Sequence, residues 1–318
     1  MNTISSTFDE NLCNCTILGS CANNASSKYP VSVLLLNRNA GNFKFEIFEN
    51  LLESGFSSII SIESPKDNFK VVDYSKKYPQ IQFVIPEKKM PVGDLINLGM
   101  SFCQTRYLLV LWDDIAVKNP VFSDAFMEKF YQSESLCVSP LLSNSRFQNL
   151  FVRMTPAIEK FNFSVKTEPC SMDFCKTLYP FDYVGLYDCK KFASVGGFDS
   201  SITSDYWQLL DFALRSWLWG EDFRISTMFR LSYLNNEAIC DQTIDDSYFR
   251  FFLKSVAPCM KIDCAYLPIR TFVTFHRNSN YSFGPALSEF FYVKKWVSKN
   301  KFRFRTDLRN LIENWDLE

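Results

Sequence analysis

Two adjacent carboxylates, Asp113 and Asp114, close the apolar run Tyr107–Trp112 (YLLVLW). Neighbouring acids at the end of a strand repel one another and lose solvation, so water, a cation or a partner must offset them. A Mg²⁺ or Mn²⁺ ion carrying a diphosphate meets that need, because hard cations take oxygen ligands; a solvated turn or a helix cap meets it as well. The chain has one histidine, His276, in TFVTFHRNSNYSFG (Thr271–Gly284), after a strand-like run and among polar residues. One histidine allows a single centre for a Ser-His-Asp arrangement, and there is no Gly-x-Ser-x-Gly elbow. Neither standard Gly-rich phosphate loop is present. Cys170/Cys175 and Cys259/Cys264 share a four-residue spacer. Zinc sites prefer shorter spacers and often a nearby histidine, so buried or free thiols are expected instead.

These residues need a frame to hold them. Val31–Leu36 (VSVLLL) reads as a strand buried on both faces, and Ser58–Ile62, Ile81–Ile85 and Tyr107–Trp112 read as further strands. Between them, Phe43–Ser54 (with Gly55 as its stop), Asn68–Tyr78 and Asp94–Cys103 have helical character. Strand alternating with helix predicts right-handed crossovers and a parallel sheet. In such sheets ligands bind beyond the carboxyl ends of the strands. That rule singles out Asn37–Asn39, Glu63 and Asp113-Asp114. The second half mixes shorter strands with a helix at Tyr206–Trp219 and ends in an amphipathic stretch from about Pro285 to Asn314. Residues 1–29, rich in Ser, Asn and Thr, read as a loose arm. The expected organisation is one compact α/β domain over residues 30–285, followed by a helical extension over 286–318.

With 318 residues, of which 47% are hydrophobic, the chain is not a disordered one. Its 34 basic and 35 acidic residues leave no global field for nucleic acid. The apolar runs fall far short of the roughly 20 residues that span a bilayer. The start, MNTISSTFDENL, has neither a basic nor an apolar signal region. Eleven cysteines in such a chain read as reduced thiols, which makes the cytoplasm the expected location. The C-terminal run KKWVSKNKFRFRTDLR interleaves basic residues with Trp296, Phe302 and Phe304. It reads either as a helix packing its aromatics on the domain or as a peripheral anchor at the inner face of an anionic membrane.

The ordered set of motifs over residues 30–285 resembles a family-2 glycosyltransferase of the GT-A fold. VSVLLLNRN resembles the first nucleotide-binding strand and its polar turn, with Asn37 and Asn39, and IISIES resembles the second, with Glu63 where an acid commonly contacts the base. VGDLINLGMSFCQTRYLLVLWDDI resembles the Asn-x-Gly helix, here Asn97 and Gly99, and the strand carrying an Asp-x-Asp element. FASVGGFDSSITSDYWQLLDFALRSWLWG resembles the family's Gly-Gly-Phe-Asp segment and following helix, with Asp211 and Arg215. HRNSNYS resembles the late histidine loop that completes the metal site.

The resemblance implies a GT-A-like Rossmann-type sheet and inverting transfer of a sugar from a nucleotide-diphosphate sugar to a glycan or lipid-linked hydroxyl. It implies a divalent cation on Asp114 and His276, donor contacts from Asn37, Asn39, Glu63, Asn97, Trp112, Asp113 and Gly197, and Asp182 and Trp207 on the acceptor side. Two departures stand out. Trp112 replaces the first acid of the Asp-x-Asp triplet, and Gln208-Leu209 replaces the Glu-Asp pair that carries the catalytic base. The base role therefore falls to Asp211, whose rival reading is an intrahelical salt bridge to Arg215, or to Asp205. The alternative is a degenerate member that binds nucleotide sugar or glycan, or scaffolds a partner, without turnover. A nucleotidyltransferase ranks last, because NRNAGNF lacks the Gly-rich basic loop that class needs.

Overall fold

Four apolar runs that can face water on neither side pack side by side and set the architecture. The computed structural model describes residues 14–20, 27, 30–38, 44–159, 162–235 and 241–316. The first half runs β1 (Cys15–Leu18), β2 (Val31–Leu36), α1 (Lys44–Glu53), β3 (Ser58–Ile62), α2 (Asn68–Lys77), β4 (Ile81–Pro86), α3 (Val92–Phe102), β5 (Tyr107–Trp112) and β6 (Ile115–Ala116). Every residue of β2, β3 and β5 is buried, which fits parallel strands covered on both faces by helices. The amphipathic helices α1, α2 and α3 provide that cover. On α3 a Cβ at Gly99 would overlap the Leu34 side chain of β2, so a larger residue there requires Leu34 to move.

The second half adds α4 (Asp124–Ser133), β7 (Cys137–Ser143), β8 (Arg153–Glu159), β9 (Asn162–Glu168), β10 (Cys175–Lys176), β11 (Gly185–Asp188), α5 (Cys189–Ser194), α6 (Asp205–Leu218) and β12 (Phe223–Tyr233). It ends with α7 (Asp246–Phe251), β13 (Cys259–Lys261), β14 (Cys264–Tyr266), α8 (Thr271–Asn278), α9 (Phe283–Asn300) and α10 (Leu308–Glu313). The main sheet has ten strands, in the order β1-β4-β3-β2-β5-β11-β7-β12-β10 with β6 on β12. It is mixed rather than parallel throughout: β4, β3, β2 and β5 run parallel, and β11 enters antiparallel to both β5 and β7. Helix α6 fills the interior beside this sheet, with all but Asp205 and Trp217 of its residues buried.

Two expectations are corrected by these elements. The N-terminal arm is not all loose: Cys15–Leu18 pairs antiparallel with β4 and closes that edge of the sheet. In the second half, β7 joins the main sheet and β8–β9 form a separate hairpin. His276 lies on a helix, α8, and not in a loop. Its β-branched and aromatic neighbours read as a strand, but Phe272 and Phe275 stand one turn apart and pack inward on Phe290 and Phe249. Of the three aromatics in the C-terminal run, Trp296 and Phe304 pack on the domain as the first of the two readings requires, and Phe302 is exposed. Trp296 and Phe304 lie against Trp219, and Trp315 lies against Trp217. No helix among the described residues is long and apolar enough to cross a membrane.

Candidate active site

A cleft of about 600 Å³ opens beyond the carboxyl ends of β2 and β5. Arg38 and Trp112 line it from those strand ends, Val92 from the start of α3, and Asp182 and Tyr183 from the turn before β11. The start of α6 supplies Thr203 to Tyr206 and Leu209; Asp241, Thr243 and Asp245 come from the segment before α7. The topology places this cleft where the strand-end rule expects a ligand.

Arg38 is the organising side chain, and the sequence reading passed it over. Its guanidinium carbon sits 3.6 Å from the centroid of the Trp112 ring, a cation–π stack. Nη1 donates to Asp182 Oδ2 at 2.7 Å, and Nη2 donates to Asp182 Oδ1 in the second arm of a bidentate pair. Asp182 is further fixed by the Tyr233 hydroxyl, which donates to Oδ2 at 2.6 Å, and Trp112 Nε1 donates to its carbonyl at 2.9 Å. Burial works against the charge on Arg38, but Asp182 and then Asp114 outweigh it and hold its pKa above the ordinary value. Asp182, expected on the acceptor side, is thus an anchor for Arg38.

Asp113 is fully buried and accepts from the Arg38 backbone N–H at 2.7 Å, while its own N–H donates to Leu36. The pair of strand-end acids therefore divides its work: Asp113 ties β5 to the turn after β2, and Asp114 is left over. Asp114 Oδ2 lies 3.9 Å from Arg38 Nη1, and its buried Oδ1 has no hydrogen-bond partner. Burial pushes the Asp114 carboxyl up to about 6, against the pull of Arg38 and with help from Asp113 and Asp182. An orphaned carboxylate oxygen of this kind fits one protein ligand of a divalent cation, although Asp114 is not itself among the residues that line the cleft. Among the described residues no cluster of three His, Cys, Asp or Glu is arranged to hold a metal alone.

His276 is not joined to Asp114 by any hydrogen bond or ion pair among the described residues. Its ring stacks on Phe272 and meets Phe283 edge-on, and its buried Nδ1 has no partner. It does not line the cleft.

Glu63 and Asn37 do meet. Asn37 Nδ2 donates to Glu63 Oε2 at 2.8 Å, Ser61 Oγ donates to Oε1 at 2.7 Å, and Lys44 completes a buried ion pair. Glu63 thus has strong partners inside the protein. Asn39 lies outside the described residues.

The other predicted residues separate into cleft and interior. Asp205 is exposed at the first turn of α6 and lines the cleft; its Oδ1 accepts from Val92 N at 2.8 Å. Leu209, one turn further, lines it too. Asp211 does not. It is fully buried and paired with Lys254 at 3.0 Å and Arg215 at 3.2 Å, and Ser255 donates to its other oxygen. The salt-bridge reading of Asp211 is what the geometry shows. Arg215 also donates to the carbonyls of Val195 and Gly197, holding the turn in which Gly196 and Gly197 adopt φ of 87° and 62°. Asn97 clamps the next residue, accepting from Phe198 N at 3.0 Å and donating to its carbonyl at 2.8 Å. Asn97 and Gly197 therefore shape the turn leading into α6. Trp207 is buried, donates to Thr243 O at 2.8 Å and stacks on Phe251, which fixes the segment carrying Thr243 against α6. Gln208, where the resemblance expects an acid, is a hub that bonds Gly93 N, Asp94 and the Asp199 carbonyl.

The paired cysteines are free thiols. Cys170 and Cys175 face one another with sulfurs 2.9 Å apart, and Cys259 and Cys264 flank the β13–β14 turn.

The chain matches no protein-family model and no curated protein. It is similar in structure to the crystal structure of GalNAc-T7 with UDP, GalNAc and Mn²⁺, at a TM-score of 0.52 and 12% sequence identity. The alignment covers 82% of this chain and 56% of that one, so the chain spans little more than half the length of its structural neighbour. The mixed sheet with flanking helices, in one compact domain, is a GT-A-like glycosyltransferase fold.

Proposed function

We propose that the chain is an inverting glycosyltransferase that moves a sugar from a nucleotide-diphosphate sugar to the hydroxyl of a glycan or lipid-linked acceptor. The observation that carries this reading is the cleft itself. On a GT-A-like fold, at the carboxyl ends of the first and fourth parallel strands, the cleft is lined by Arg38, stacked on Trp112, and by an exposed carboxylate, Asp205. In this reading Asp205 takes the acceptor proton as general base, worth about 10²–10⁴ in rate. Its backbone is held by the Tyr183 hydroxyl, which donates to the Asp205 carbonyl at 2.5 Å, and its carboxylate by Val92 N. Asp114 is the residue that would hold a divalent cation, which supplies Lewis-acid neutralisation of the leaving diphosphate when bound. Exposed Phe291, Tyr292 and Phe302, beside Lys295 and Lys299 along α9 and its end, support a lipid-linked acceptor and peripheral contact with an anionic membrane.

A panel of nucleotide sugars, incubated with the chain and Mn²⁺ or Mg²⁺ and assayed for released nucleoside diphosphate, tests the reading. Release with at least one donor supports it; binding without release from any donor supports the second reading, a nucleotide-sugar-binding protein without turnover. The apolar Leu209, on the cleft wall where the resemblance expects the catalytic acid, is the observation that favours this second reading.

A further inference from the structure

We propose that Arg38 is a built-in cation for the diphosphate of the donor, so that nucleoside diphosphates bind this cleft without a divalent metal. The inference rests on the nucleotide-sugar reading and names the group that recognises its phosphates.

Charge in the cleft is one-sided. Asp182, Asp205, Asp241 and Asp245 line it, and Arg38 is the one cationic side chain among its described lining residues. Among the charged side chains that line the cleft, a dianionic phosphate group meets an attractive one at Arg38. The guanidinium has five N–H donors in a rigid plane. Two of them are committed to Asp182, and no other hydrogen bond from the side chain is made among the described residues. The remaining donors are on a group that lines the cleft.

The side chain is also held in place. Stacking on Trp112 fixes the plane of the guanidinium. The bidentate pair fixes its rotation, and Tyr233 and Trp112 in turn fix Asp182. Asp182 sits at φ 55°, a left-handed conformation uncommon for a residue other than glycine, in the one-turn helix Phe181–Tyr183. A guanidinium oriented in advance loses little freedom when it binds an anion, and its fork matches two phosphate oxygens. Asp182 is therefore a positioning residue for Arg38. A lysine, as a mobile point charge, reproduces the charge but not the fork.

The test measures binding, not turnover. Uridine, guanosine, adenosine and cytidine diphosphates and their monophosphates are titrated into the full chain by calorimetry, once in EDTA and once in Mn²⁺. In EDTA the unaltered chain is expected to bind at least one diphosphate more tightly than its monophosphate. Arg38→Gln should erase that preference by weakening the diphosphate about ten- to a hundred-fold, the range for a charged hydrogen bond, with the monophosphate little changed. Arg38→Lys should fall between, and Asp182→Asn should weaken the diphosphate less than Arg38→Gln. Circular dichroism confirms the fold, and if Arg38→Gln does not fold, Arg38→Lys decides by the same comparison. A diphosphate preference that survives undiminished in the folded Arg38→Gln variant, or in Arg38→Lys where Arg38→Gln does not fold, overturns the proposal. Diphosphate binding that needs Mn²⁺ overturns it while leaving the nucleotide-sugar reading standing. Failure of every nucleotide to bind in either buffer overturns both.

Discussion

Asp205 and Leu209 stand one helical turn apart on the same face of α6, and both line the cleft. The apolar residue occupies the position where the resemblance expects a catalytic acid, and the acid stands four residues earlier. Asp205→Asn is therefore expected to lower the rate of sugar transfer by about 10²–10⁴ and to leave nucleoside diphosphate affinity within about twofold. Steady-state kinetics paired with calorimetry separates the two effects. Equal loss of rate and affinity would place Asp205 on the donor and not on the acceptor proton.

Asp211 gives the opposite result. Its carboxylate is the shared partner of two buried cations, Lys254 and Arg215. Asp211→Asn leaves both with reduced compensation, and breaking a buried pair in this way costs about 3–5 kcal/mol. Denaturant unfolding should show that loss for Asp211→Asn and a change below about 1 kcal/mol for the exposed Asp205→Asn. Similar stabilities for the two variants would remove the interior network described here.

Asp94 sets a pH dependence. Burial pushes its carboxyl up to about 6; the Gln208 hydrogen bond opposes the shift, and Asp199 and Asp205 add to it. An unfolded aspartate titrates near 3.9. Between about 4 and 6 the folded state therefore binds more protons than the unfolded one, so this group lowers stability as pH rises through that window. Asp94→Asn keeps an acceptor for Gln208 and removes the buried charge. It is expected to raise the unfolding midpoint at pH 7.5, with the gain shrinking toward zero near pH 4. A gain that grows on acidification would contradict the assignment.

Asn97 is the test of the turn before α6. Asn97→Ala removes both bonds to the Phe198 backbone, leaving a buried N–H and carbonyl unpaired at a cost of about 1–3 kcal/mol. Hydrogen exchange should speed up at Phe198 with little change in β2 or β5. Unchanged protection at Phe198 would show that the clamp is not what holds the turn.

How much of this was readable beforehand follows from which features are local. The runs VSVLLL, SIISI and YLLVLW are continuous because their strands are buried on both faces, and a reader meets each as one block. The antiparallel entry of β11 between β5 and β7 leaves no such mark, because strand order depends on contacts distant in sequence. The short strand GLYD has little periodicity to show. At the site, the strand-end rule picked out the window Asn37–Asn39 for its asparagines, and the arginine between them is the residue that organises the cleft. Its partner Asp182 is 144 residues away, and nothing in either segment announces the pair. The meeting of Asn37 with Glu63 was foreseeable, since both follow adjacent strands. His276 was misplaced because TFVTF has strand-like composition, whereas its packing is helical.

The most direct measurement is release of nucleoside diphosphate from a panel of nucleotide sugars by the purified chain, with Asp205→Asn run beside it under the same conditions. A glycosyltransferase built around this cleft should release diphosphate from at least one donor, and at a rate lower by about 10²–10⁴ in the variant. Release that is unaffected by Asp205→Asn, or that for every donor stays at the rate without protein, would contradict it.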